Sequence, residues 1–265
     1  MELKFRGEAV RATTGGRPIN TELPLVVFLH GASQDRTLWA LQQRWFSHHG
    51  WSVLAPDLPG HGLSGGKPIE SIEDLADWVA DFIAQAGFTS AAIVGHSMGA
   101  LIGLELAGTR PDLVTKLVLS GAASALPVGE VLQNPADANE RKAHEMVLGW
   151  TLAPQSAKGG HPTPGLWMSG VLLHTSLNND DDVLATGLRA CNVYDQGPDR
   201  AAEVSCPVLV MSGADDRMVD QKLTANLVGA LAAHGTHVVI EGAGHAAMVE
   251  QPDEVLDTLI RFLTA

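Results

Sequence analysis

A serine, an aspartate pair and a histidine each stand just past a short apolar run in this chain, and together they carry the parts of an acyl-transfer site. Ser97 lies in Gly95-His96-Ser97-Met98-Gly99, between the apolar run Ala91–Val94 and a small, apolar helical stretch, Met98–Thr109. Small residues on both sides let a strand turn sharply into a helix, which lifts the hydroxyl clear of the sheet at the positive end of the helix dipole. The plainer reading is a helix-capping serine in a glycine-rich turn; the strand before and the helix after favour a nucleophile. A serine hydroxyl is a weak nucleophile without a base. Of eleven histidines, His245 stands out in Glu241-Gly242-Ala243-Gly244-His245, beyond the run His237–Ile240. The base in turn needs an orienting carboxylate. Asp215 and Asp216 both follow the run Val208–Met211, and by position either could serve. Donors for an oxyanion are expected from the backbone N–H groups of Ala32, in the exit His30-Gly31-Ala32-Ser33, and of Met98. The imidazole of His30 is expected to tie loops together beneath the site.

Other chemistries fit less well. Gly242-Ala243-Gly244-His245-Ala246-Ala247 weakly imitates a dinucleotide fingerprint, but no strand–helix–strand unit remains downstream to house one. His234-Gly235-Thr236-His237 brackets a turn into a buried strand. Asp180-Asp181-Asp182 lacks the glycine of a calcium loop and reads as a helix-start charge run. No metal and no cofactor is therefore expected. The chain has 265 residues, 17 Lys and Arg against 30 Asp and Glu, and a formal charge of −13. Such a surface repels phosphate, which argues against nucleic acid and anionic membranes as partners. Two cysteines, Cys191 and Cys206, make no disulfide framework. The first residues hold no apolar stretch of signal-peptide length, and no run approaches a membrane span. A soluble, cytoplasmic protein acting on a small molecule is the expectation; the composition says nothing of its oligomeric state.

The elements that must position these residues are legible as periodicity. Leu25–Leu29, Ser52–Ala55, Ala91–Val94, Lys116–Leu119, Val208–Met211 and His237–Ile240 are continuous apolar runs closed by glycine, proline or polar residues, as in strands buried on both faces of a parallel sheet. Helical spacing falls between them, at Arg36–His49, Ile72–Ala86, Met98–Thr109, Lys222–His234 and Asp253–Leu263. Alternation of this kind predicts a doubly wound, mostly parallel α/β sheet, with Leu3–Thr13 as an antiparallel hairpin at one edge. Between Gly121 and Pro207 the alternation stops. A structureless loop of that length is improbable, so an inserted helical cap over residues 122–203 is expected on a core formed by 1–121 and 204–265. Its helical pieces fall near Ala136–Trp150, Gly165–Thr175 and Asp181–Cys191. Trp150, Trp167, Met168 and Leu172, with Leu173, are its candidate pocket residues.

Taken together, Leu29-His30-Gly31, Asp57 through Ser64, the Ser97 pentapeptide, Gly213 through Asp216, and Gly242 through His245 with Glu250-Gln251-Pro252 resemble the α/β-hydrolase family over nearly the whole chain. The likeness is to its capped branch of carboxylesterases, meta-cleavage-product hydrolases and haloperoxidase-like enzymes. The resemblance selects Asp216 as the acid, three residues after the glycine, and makes Asp57, His61 and Glu250 structural. Relatives that open epoxides or remove halogens carry aspartate where Ser97 stands, and epoxide opening uses a tyrosine pair, whereas Tyr194 is the one tyrosine here. Meta-cleavage hydrolases often carry tryptophan after the histidine; here it is Ala246. The expected activity is hydrolysis of short to medium, uncharged carboxylic esters through an acyl-enzyme, with Ser97, His245 and Asp216 as the triad. C–C hydrolysis of a meta-cleavage-type product on the same triad is the second reading, with Arg189 as its first carboxylate-binding candidate. A ligand-binding module on the same fold is the third, disfavoured because binding needs no complete triad.

Overall fold

The computed structural model describes residues 1–159 and 165–265; the part of the expected cap at 160–164 lies outside them. Eight strands form one sheet: β1 (Glu2–Phe5), β2 (Glu8–Thr13), β3 (Leu25–Leu29), β4 (Ser52–Pro56), β5 (Ala91–His96), β6 (Val114–Ser120), β7 (Val208–Gly213) and β8 (Gly235–Ile240). Their order is β1-β2-β4-β3-β5-β6-β7-β8. The pairs β1–β2 and β2–β4 are antiparallel, and all others are parallel. Every residue of β3, β4, β5 and β7 is buried, which is why their sequences show no polar alternation.

The core helices are α1 (Ala40–His48), α2 (Ile72–Gln85), α3 (Met98–Thr109), α10 (Gln221–Ala230), the single-turn α11 (Ala247–Glu250) and α12 (Pro252–Leu263). Leu75, Phe82 and Ile83 of α2, Leu101 and Leu104 of α3 and Leu227 of α10 pack on one face of the sheet. Phe46 of α1 and Val255 and Leu259 of α12 pack on the other. The N-terminus of α2 is set by Ser71, whose side chain accepts the Asp74 N–H. Helix α1 starts at Ala40, four residues later than its periodicity predicts. Asp35 Oδ1 accepts the Thr37 N–H in a local turn, and Arg36 is held to Asp57 through both its N–H and its guanidinium, so neither joins the helix.

Between β6 and β7 lie α4 (Glu130–Asp137), α5 (Arg141–Thr151), α6 (Pro154–Ala157), α7 (Met168–Leu177), α8 (Val183–Val193) and α9 (Gly197–Glu203). The single helix expected over Ala136–Trp150 is two, broken where Asn139 takes a φ of +55°. Leu132, Ala143, Leu184 and Leu188 give this segment an apolar cluster of its own. Helix α9 packs along α3 of the core, where Arg200 and the Tyr194 hydroxyl both bond the buried carboxylate of Glu105.

The sheet's winding reverses between β3 and β5, the neighbours from which the chain departs in opposite directions. In open α/β sheets the crevice at such a point, beyond the carboxyl ends of the strands, takes ligands. The Ala32 loop leaves β3 there and the Ser97 turn leaves β5. Among the described residues no helix is long and apolar enough to cross a membrane.

Candidate active site

The turn from β5 into α3 explains its sequence. Ser97 sits at φ +54°, ψ −119°, a conformation that costs about 1–3 kcal/mol for a residue with a side chain. Its N–H donates to Ser120 O at 3.0 Å, fixing it against β6. A Cβ on Gly95 would lie 2.2 Å from Gly99 O, and one on Gly99 2.6 Å from His30 O. Both glycines are therefore required by backbone contact. The hydroxyl-bearing residue stands at the start of α3, whose first N–H groups have no intrahelical acceptor; Met98 is the first of them.

His245 is buried and its Nδ1 lies 2.9 Å from Asp216 Oδ2. The other carboxylate oxygen, Asp216 Oδ1, accepts the N–H groups of Met218 at 2.8 Å and Val219 at 3.0 Å. Burial raises the Asp216 pKa, but His245 and these two amides outweigh it, and the group stays below its ordinary value. The two aspartates are thus distinguished: Asp215 is exposed and its carboxylate accepts Gln155 Nε2. His245 Nε2 is buried with no hydrogen-bond partner among the described residues. It is the atom free to take a proton from a serine across the cavity. The ring leans on Gly121, where a Cβ would come within 2.9 Å of Nδ1. The His245 N–H donates to Thr151 O at 2.7 Å, and Glu250 accepts the Gly244 N–H and the Ala153 N–H. The histidine loop is thereby tied to the end of α5.

Supporting groups fall beneath the site. His30 Nδ1 donates to Gly31 O and its Nε2 accepts the Leu58 N–H, joining the exits of β3 and β4. Burial holds His30 down to about 4 and His61 to about 3, so both imidazoles are neutral at pH 7. Asp57, fully buried, accepts from Arg36 and from the Leu63 N–H. Burial raises its pKa above the ordinary value despite these partners. Among the described residues no three His, Cys, Asp or Glu side chains gather as a metal-binding group.

Ser97, His245, Ala32 and Asp216's neighbour Arg217 line one cavity of about 390 Å³. Helices α4, α5, α7 and α8 contribute apolar walls, Leu132, Trp150, Leu172 and Leu188 among them. Of the four pocket residues named from sequence, Trp150 and Leu172 lie on the wall. Trp167 does not: it is 70% exposed, its indole folded over Gly170 on the first turn of its own helix. Met168 is buried in the apolar cluster with Leu152 and Leu172 and is absent from the wall. Arg189 also lies off the wall, its charge paired with Asp137. The sequence reading assigns no role to Arg217 or Gly187. Arg217 directly follows the two aspartates. At Gly187 of α8, a Cβ would stand 2.9 Å from the Ala32 Cβ.

Comparison with known proteins agrees with this fold. The model of the alpha/beta hydrolase family matches residues 26–258. An (E)-2-((N-methylformamido)methylene)succinate hydrolase of Acinetobacter baylyi is 28% identical over 236 residues, 87% of this chain and 86% of its own. A pimeloyl-[acyl-carrier protein] methyl ester esterase of Proteus mirabilis is 26% identical, over 89% of this chain and 91% of its own. The crystal structure of an enol-lactonase from Burkholderia xenovorans LB400 superposes with a TM-score of 0.89 at 23% identity, covering all of both chains.

Proposed function

The chain belongs to the alpha/beta hydrolase family, and from that premise we propose that it cleaves carboxylic esters of short to medium acyl chains through an acyl-enzyme. The observation that carries this reading is the His245–Asp216 pair, whose second imidazole nitrogen is buried and unpartnered on the cavity that Ser97 also lines. Ser97 attacks the ester carbonyl while His245 Nε2 takes its proton. Asp216, kept ionised by His245 and by its two amide donors, holds the Nδ1 tautomer and stabilises the imidazolium. The N–H groups of Ala32 and Met98 stabilise the tetrahedral oxyanion. His245 returns the proton to the departing alcohol, then activates the water that releases the acid. No cofactor takes part in these steps.

The mainly apolar wall and the cavity's volume support short to medium chains. The names of the two relatives above, a hydrolase of a succinate derivative and a methyl ester esterase, support a hydrolase, and the second names an ester. The test is a p-nitrophenyl ester series. Acetate to hexanoate should turn over much faster than palmitate, and Ser97→Ala should abolish the activity. A meta-cleavage product should react weakly or not at all. If its kcat/KM exceeds that of the best ester, the bond cleaved is C–C and the ester reading is wrong.

A further inference from the structure

Among the described residues Arg217 is the single arginine or lysine on the wall of the catalytic cavity. Six other arginines, Arg6, Arg11, Arg36, Arg141, Arg189 and Arg200, are paired with carboxylates. Among the described residues Arg217 pairs with none. Its Nη2 donates to Gly149 O and to Leu152 O, at the end of α5. Two carbonyls thus fix one arm of the guanidinium, and its Nη1 and Nε have no hydrogen-bond partner among the described residues. The nearby carboxylates are otherwise engaged: Asp216 with His245 and two amides, and Asp220, also on the wall, with the Lys222 N–H at the start of α10.

From this we infer that Arg217 recognises a carboxylate of the substrate, so that the natural ester or lactone is anionic. The inference rests on the ester reading above. A planar guanidinium already held by carbonyls presents its remaining donors in a fork that fits a carboxylate with little further loss of freedom. The rest of the wall is mainly apolar and holds no other cation to compete for a bound carboxylate, but Arg217 itself is exposed, so solvent partly screens the pair. The expectation of an uncharged substrate rests on apolar residues between β6 and β7. Arg217 enters the same cavity from the core, off the end of β7.

A purely structural arginine clamping α5 would affect all esters alike, so the readout is a ratio of kcat/KM within matched pairs. Mono-p-nitrophenyl glutarate against p-nitrophenyl butyrate places the charge on the acyl side. Butyrate esters of 4-hydroxybenzoate and of phenol place it on the alcohol side. The native enzyme should prefer the anionic member of at least one pair. Arg217→Met should reduce that preference about threefold or more, as expected for an ion pair made by an exposed guanidinium. Arg217→Lys should retain part of it, and sodium chloride should weaken it. A native enzyme that hydrolyses the neutral esters and prefers neither anionic partner overturns the inference. So does a preference that Arg217→Met leaves intact. If no ester in either pair turns over faster than with Ser97→Ala, the ester reading itself falls.

Discussion

Adjacent aspartates of identical chemistry differ here because of what surrounds them. Asp216 gathers one imidazole and two amide N–H groups while buried, whereas Asp215 points to solvent and Gln155. The variants should separate them. Ser97→Ala and His245→Ala should each lower kcat about 10⁴-fold or more, and the double variant little further, because the residues act as a unit. Asp216→Asn should cost less than Ser97→Ala and far more than Asp215→Asn. Steady-state kinetics on a short p-nitrophenyl ester decide it; a damaging Asp215→Asn beside a mild Asp216→Asn would reverse the assignment of the acid.

At the scale of elements, the site exists because β5 and α3 meet closer than side chains allow. Gly95→Ala places a Cβ 2.2 Å from Gly99 O, and backbone cannot yield as a side chain tip can. Its cost should reach or exceed the ~1–3 kcal/mol typical of overpacking, read as a lower midpoint of urea unfolding. Gly229→Ala, within α10 and with nothing within 4 Å of its Cβ, should be neutral or slightly stabilising in the same measurement. Helix α8 presses on the Ala32 loop. Gly187→Ala puts a Cβ 2.9 Å from the Ala32 Cβ and 3.3 Å from Met98 Sδ. Alanine is the better helix former by about 1 kcal/mol, so this variant should remain folded while the loop carrying the Ala32 N–H shifts. The expected result is a fall in kcat of about tenfold, the order of a partly lost oxyanion contact, with the thermal midpoint nearly unchanged. An unaltered kcat would show that α8 does not set the Ala32 position.

For the molecule as a whole, buried neutral histidines make stability depend on pH. His30 is held near 4 and His61 near 3 by burial, against an ordinary value of 6.5. The unfolded chain binds protons at these residues as pH falls below 6.5, and the folded chain refuses them until far lower. Their contribution is therefore complete above pH 6.5 and lost as pH falls towards 4 and 3, at up to about 1.4 kcal/mol per pH unit for each. Asp57 and Glu250, raised by burial, act in the opposite sense. A difference measurement removes them. His61→Asn keeps a donor for Pro59 O, the partner of His61 Nδ1, and has no titration. Its unfolding free energy should fall less steeply than that of the native protein between pH 6.5 and 4; parallel slopes would mean that His61 titrates normally in the fold.

The sequence by itself marked the sheet core and offered Ser97, His245 and an aspartate pair as candidates. Fully buried strands such as Leu25–Leu29 need unbroken apolar runs, and the Ser97 turn needs glycine on both sides, so burial and backbone contact leave direct marks on residue type. It also marked an insertion, because the alternation of runs stops there. Tertiary structure decided the rest. Local chemistry leaves Asp215 and Asp216 alike, and in the sequence only the family resemblance prefers Asp216; the His245 ring and the Met218 and Val219 amides, brought in by folding, separate them. Trp150 and Trp167 look alike as apolar residues in a helical segment, yet one lines the cavity and the other folds outward over Gly170. Arg217 carries no role in the sequence; in the fold the end of α5 offers it two carbonyls and the cavity opens beside it. Which face of a short helix meets a ligand, and which charge lacks a partner, depend on contacts between segments far apart in the chain, and local pattern does not record them.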